Sequence, residues 1–156
     1  MLYGPSMTGA YGLLIVTLAA GSMTSKQAAV EIDAVHEAAF RYMFYNNGSR
    51  GAKFYCLRLY EGDPSDSLIH RLSNSTLPVK KHSQCTSSVK EGVRDPGTGE
   101  RGAILYLKAL RWKSSSKAEL DGGYWEGGLS SSGDTYFLRK KGSAWSVVKE
   151  KTHWVS

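Results

Sequence analysis

Four stretches in the second half of the chain, Arg101–Trp112, Lys117–Leu129, Asp134–Lys140 and Ala144–Trp154, are joined only by Lys113–Ser116, Ser130–Gly133 and Lys141–Ser143. Connections this short close antiparallel hairpins, whereas a parallel crossover takes a dozen or more residues. The segments are therefore read as a meander. Ile104, Tyr106 and Lys108 alternate with Ala103, Leu105 and Leu107, and Tyr136 and Leu138 alternate with Thr135 and Phe137. That is the period of a strand. A further strand ending at Arg94 begins near Ser87 and leads into the turn Asp95-Pro96-Gly97-Thr98-Gly99. Gly122-Gly123 and Gly127-Gly128 flank Tyr124-Trp125-Glu126 inside one predicted strand. Glycine there marks a bulge or bend, the device that curves a sheet around a helix, or a backbone that approaches a ligand.

The helix to fill such a sheet lies upstream. Thr24 and Gln27 have capping-box spacing, and Ala28, Ile32, Val35, Ala39 and Met43 form an apolar stripe ended by Asn46-Asn47-Gly48. Phe40 and Phe44 fall off that stripe, near Asp33 and Glu37, and need cover from a loop, a sheet edge or a partner. A homodimer through Phe40 and Phe44 is one such cover. Ala52–Tyr60 reads as a strand. Asp63 as N-cap and Pro64 at the first helical position then open a short helix with Leu68, Ile69 and Leu72 on its buried face. Ser73–Lys81 is a loop or an edge strand interrupted by Pro78. The predicted fold class is α+β: one long N-terminal helix on a curved antiparallel sheet of four to six strands, with a short second helix.

Thr8–Ala20 is an apolar run shorter than the roughly 20 residues that span a bilayer, followed by small residues at Gly21-Ser22. It is read as the core of a signal-peptide-like leader over 1–22 ahead of one domain over 23–156. An uncleaved anchor or a buried element are the alternatives. No Lys or Arg precedes the run, and Ser22 stands where a lipoprotein would carry its lipidated Cys. The chain is thus expected to be exported, periplasmic or secreted, with no integral span after cleavage. Export would join its two cysteines, Cys56 and Cys85. Closing that loop stabilises by roughly 3–4 kcal/mol on the chain-entropy estimate.

The net charge of +6 and pI near 9.3 admit nucleic acid, an anionic surface or only solubility; Lys and Arg are scattered in short clusters and read first as solvated strand faces and turns. His36, His70, His82 and His153 are dispersed, which predicts no metal site; no cofactor is expected either. There is no nucleophile elbow, phosphate loop or dinucleotide fingerprint, and no catalytic residue is assigned. Glu37 and Arg41 read as an i,i+4 ion pair. Asp121 and Glu126 fall on opposite faces unless a bulge resets the register. Aromatics interleaved with bases, Tyr106, Lys108, Arg111, Trp112, Tyr124, Trp125, Tyr136 and Arg139, would serve the core or a stacking surface. Tyr106, Tyr124, Trp125, Glu126 and Tyr136 are the candidate ligand-binding set.

The order of elements over 26–156 resembles the cystatin-like superfamily, which includes nuclear-transport-factor-2-like cone domains. The stretches Gly133-Asp134-Thr135-Tyr136, Gly142-Ser143-Ala144-Trp145-Ser146-Val147-Val148 and His153-Trp154-Val155-Ser156 are similar to the ends of small exported bacterial proteins of unknown function. The resemblance implies a fold and brings no activity. The expectation is a non-catalytic domain of an exported bacterial protein, binding a small ligand or protein partner at the concave face. The alternatives are a cone-fold enzyme acting on a small hydrophobic molecule and a basic nucleic-acid or anionic-surface binder. Export weighs against nucleic acid.

Overall fold

The computed structural model describes residues 24–47, 51–60 and 62–156. The leader expected over 1–22 lies outside the described residues. The fold is α+β. Helix α1, Ser25–Asn46, is capped as its sequence predicts: Thr24 Oγ1 accepts from the Gln27 amide at 3.2 Å and Gln27 Oε1 accepts from the Thr24 amide at 3.0 Å. Its buried residues are Val35, His36, Ala39, Phe40, Met43 and Phe44, while Ala28 and Ile32 are only half-buried. The apolar arc is wider than one stripe because the helix has cover on two sides.

That second cover comes from within the chain. Strand β1, Tyr55–Leu59, brings Tyr55 into a stack on Phe44 at 5.1 Å between ring centroids. Helix α2, Asp66–Leu72, buries Leu68 and Leu72 in the same core. Phe40 is fully buried and Phe44 nearly so, which leaves neither as a surface for a second copy; the dimer through these residues loses its premise. Arg71 of α2 bridges to Asp33 and Glu37, and Glu37 also takes Arg41. α2 begins later than predicted, with the Ser65 hydroxyl accepting from Leu68 N. Asp63 is occupied elsewhere, accepting from the amide and hydroxyl of Ser83.

The remaining strands are β2 (Val79–Lys81), β3 (Thr86–Ser88), β4 (Gly92–Arg94), β5 (Arg101–Ser114), β6 (Lys117–Gly127), β7 (Ser130–Lys141) and β8 (Ala144–Val155), with a 3₁₀ turn at His82–Gln84. Their order is β2-β1-β5-β6-β7-β8, with β3 and β4 as a hairpin beside the start of β5. The meander from β5 to β8 is antiparallel. β1, however, runs parallel to both β2 and β5, so the sheet is mixed. The connection through α2 is long enough for a parallel return, and a three-residue strand after Pro78 leaves little periodic signal. Ser87–Arg94 is two short strands instead of one. The β6–β7 turn falls at Gly128-Leu129, upstream of the expected Ser130–Gly133, because Ser131, Ser132 and Asp134 are polar residues buried inside β7.

One sheet face packs on the helices through Val35, Phe40, Met43, Leu57, Leu105, Tyr136 and Leu138. Polar ties fix α1 to it at both ends. Glu31 accepts from Lys140 Nζ and from the Trp145 indole N–H at 2.9 Å, and Glu150 accepts from Tyr42 Oη at 3.0 Å and Asn47 Nδ2 at 3.1 Å. No helix among the described residues is long and apolar enough to cross a membrane.

Candidate functional site

Pleating separates the expected binding residues. Trp125 pairs with Ile104 and Tyr124 with Leu105, so neighbouring aromatics turn to opposite faces. Tyr124 and Tyr136 belong to the helix side. Tyr136 is fully buried with Tyr42 at its edge, 5.9 Å between centroids, and burial holds its phenol far above the ordinary range. Glu126 accepts from Ser130 Oγ at 3.0 Å beside the β4 hairpin. Tyr106 and Trp125 alone of the five share a site, and it lies on the face away from the helix. The helix-side face expected to bind is filled by core side chains.

The outer face carries a groove of about 580 Å³. Ile104, Tyr106 and Trp125 form its floor, backed by a small second core of Phe54, Cys56 and Val93. His82 and Ser87 make one wall, Trp154 the opposite one, and Arg58 and Lys108 stand at the rim. A disulfide joins Cys56 to Cys85, with Cα atoms 6.6 Å apart, and fastens the His82 wall to β1. Burial, then the nearby Arg58 charge, lower the His82 pKa, so its imidazole is neutral at pH 7. No carboxylate lines the groove.

Two glycines seat the aromatics. A side chain at Gly123 would collide with the Ser132 carbonyl and Tyr106 Oη. Its absence lets the Tyr106 hydroxyl cross β6 and donate to Ser132 O at 2.6 Å. A Cβ at Gly133 would strike the Trp154 indole. Gly133→Ala is therefore expected to swing Trp154 off the sheet at a cost of about 1 kcal/mol, the cost staying low because Trp154 is half-exposed. Near-ultraviolet circular dichroism and Trp fluorescence would read the displacement.

Beyond the groove the same face continues into a second concavity of about 530 Å³ with Lys113, Lys117, Phe137, Arg139 and Lys149 in its lining. Lys149 Nζ lies 5.5 Å from the Phe137 ring centroid, and Lys108 Nζ lies 5.0 Å from that of Tyr106. Between the two concavities, Arg111 donates twice to Asp121, at 2.6 and 2.7 Å. Asp121 also accepts from Thr135 Oγ1 at 2.7 Å, and Thr135 Oγ1 lies 2.9 Å from His153 Nε2. The guanidinium lowers the Asp121 pKa below its ordinary 3.8. A depressed carboxylate stabilises the fold above the unfolded pKa and loses that contribution as pH falls through the folded one. Asp121→Asn should flatten the acid limb of an unfolding profile below its ordinary pKa of 3.8; the effect is modest, since the carboxylate is partly exposed.

His36 is buried, its Nδ1 without a hydrogen-bond partner among the described residues, and burial lowers its pKa. Among the described residues no cluster of three His, Cys, Asp or Glu side chains is placed to hold a metal ion. Arg58, His82 and Trp154 escaped sequence reasoning. Gly133 opposite Trp154 was the available signal for the last. No family model, curated protein or solved structure matches the chain.

Proposed function

We propose that this chain is a non-catalytic binding domain of an exported bacterial protein, and that its ligand is an anion with a flat apolar part, held in the outer-face groove. The observation that carries this reading is the groove's composition: an apolar floor of Ile104, Tyr106 and Trp125 under a rim of Arg58 and Lys108, with no carboxylate in its lining. Burial of a ring on that floor supplies affinity, and two cations fix the charged end. The disulfide supports an oxidising compartment for the mature domain. The order of a helix, a strand, a second helix and then the antiparallel β5-to-β8 meander supports the cystatin-like reading. The rival cone-fold enzyme needs an open cavity between helix and sheet; Phe40, Met43 and Tyr136 occupy that space.

A naphthoate titration followed by Trp fluorescence tests the reading. Binding should quench the emission, and Arg58→Ala or Lys108→Ala should each weaken it by about ten-fold or more, as loss of a charge-assisted hydrogen bond does. Absence of any quenching at millimolar naphthoate, or full affinity in both variants, would remove the groove as the site.

A further inference from the structure

The positive charge of this chain is not spread evenly. Arg58, Lys108, Arg111, Lys113, Lys117, Arg139, Lys149 and Lys151 project from the outer sheet face, as their lining positions and pairings with Tyr106, Glu119, Phe137 and Thr135 place them. Glu119 and Asp121 lie among them, and both are held by Arg111, with Lys113 also on Glu119; Asp95 on the same face is taken by Lys80. Eight cations against two anions give this stretch of the outer face a net charge of +6. Apart from Arg111 and Lys113, none of the eight has a carboxylate partner among the described residues. Tyr106, Trp125, Phe137 and Trp154 lie among them, and Trp154 is 50% exposed.

Unpaired cations alternating with ring faces on a sheet face away from both described helices complement one kind of ligand: a polymer with a regular negative charge and flat units free to stack. We propose that the outer face binds single-stranded nucleic acid, for an exported domain the nucleic acid met outside the cytoplasm. Bases stack on Trp125 and Trp154, and the phosphates run from Arg58 and Lys108 toward Lys149 and Lys151. This rests on the reading of the groove as the binding site and names the anion it takes. Four strand intervals separate β1 from β8, roughly 19 Å across the sheet, a track of several nucleotides. A duplex keeps its bases paired inward and offers this face its backbone alone. Among the interleaved residues, Trp112, Tyr124 and Tyr136 turn to the helix side, whereas Tyr106, Lys108, Arg111, Trp125 and Arg139 all turn outward.

The test is fluorescence anisotropy of a labelled oligo-thymidylate of about twelve nucleotides, a length within the range that single-strand-binding sheets cover. It is run with the disulfide-bonded protein over a salt series, beside a duplex of equal length and heparin. If four of the six unpaired cations meet phosphates, the affinity falls about 50-fold when salt rises fourfold. Lys149→Gln with Lys151→Gln makes the log–log salt slope shallower by about 1.4. Trp154→Ala weakens single-strand binding roughly five-fold or more at fixed salt while leaving that slope unchanged. All three positions are exposed, so the variants keep the fold, which circular dichroism verifies. No binding at low salt overturns the proposal, as does heparin or duplex binding equal to that of the single strand together with an indifferent Trp154→Ala. If naphthoate still binds when the oligonucleotide does not, the polymer is wrong and the groove stands; if neither binds, both fall.

Discussion

Replacing Phe40 by alanine is expected to lower the free energy of unfolding by about 3–5 kcal/mol, the cost of emptying a fully packed aromatic site. Phe40 is 0% exposed in the core that α1, α2 and the sheet share, and its loss empties a site in that shared core. The size of the effect separates two readings of the off-stripe phenylalanines. If they belong to the core, the destabilisation is full at any protein concentration in a denaturant titration. If they formed a surface between copies, the wild-type midpoint would rise with concentration and the variant would lose that rise. The structure requires the first outcome. Phe44→Ala should follow in the same direction, because it gives up the stack on Tyr55.

The second large effect is expected from Cys56→Ser with Cys85→Ser. The bridge closes a loop with a sequence separation of 29, so its removal costs roughly 3–4 kcal/mol on the chain-entropy estimate. Here the loss has a second consequence. β2, the His82 turn and β3 together are short, edge-like and lightly buried, with intermediate or exposed residues throughout. The disulfide is the covalent tie between them and the sheet. The double variant, or the wild type under reductant, should therefore lose naphthoate affinity before it loses its α1-to-sheet core. Near-ultraviolet signals and fluorescence quenching would part company along a reductant titration. Coincident loss of both would mean that wall and core unfold as one unit.

The amphipathic periods were readable where they were regular. The Thr24 and Gln27 cap, the alternation of Ile104, Tyr106 and Lys108, and the short β5-to-β8 turns all rest on local chemistry, and the described elements follow them. Harder features depended on distant neighbours. Nothing near Val79 announces that a three-residue strand will lie parallel to β1, because the pairing is set by the long path through α2. Ser131, Ser132 and Asp134 disguised the start of β7, since buried polar residues in a strand look like a turn until their partners are known; Ser132 Oγ donates to Asp134 at 2.5 Å.

The candidate site divided for a similar reason. Period two alone separates Tyr124 from Trp125. Which of the two faces would be covered required knowing that Leu120, Tyr136 and Leu138 meet α1. The bulge between Leu107 and Leu110, opposite Gly122 and Leu120, places Arg111 on the same side as Tyr106, a reversal that counting along β5 cannot anticipate. The concentration of charge on one face follows from that reversal and from the pairings of Lys149 and Lys151 across β7. The net charge alone revealed none of it.

The four tryptophans offer the most direct test that binding occurs on the outer face. Trp125 and Trp154 line the groove, while Trp112 and Trp145 pack edge to face on the helix side, 5.6 Å between centroids, with the Trp145 N–H held by Glu31. In a ¹H–¹⁵N spectrum the indole N–H signals of Trp125 and Trp154 should shift progressively as naphthoate is added, with those of Trp112 and Trp145 unmoved. Shifts confined to Trp112 and Trp145, with Trp125 and Trp154 silent at saturation, would place the ligand on the wrong face and contradict the account.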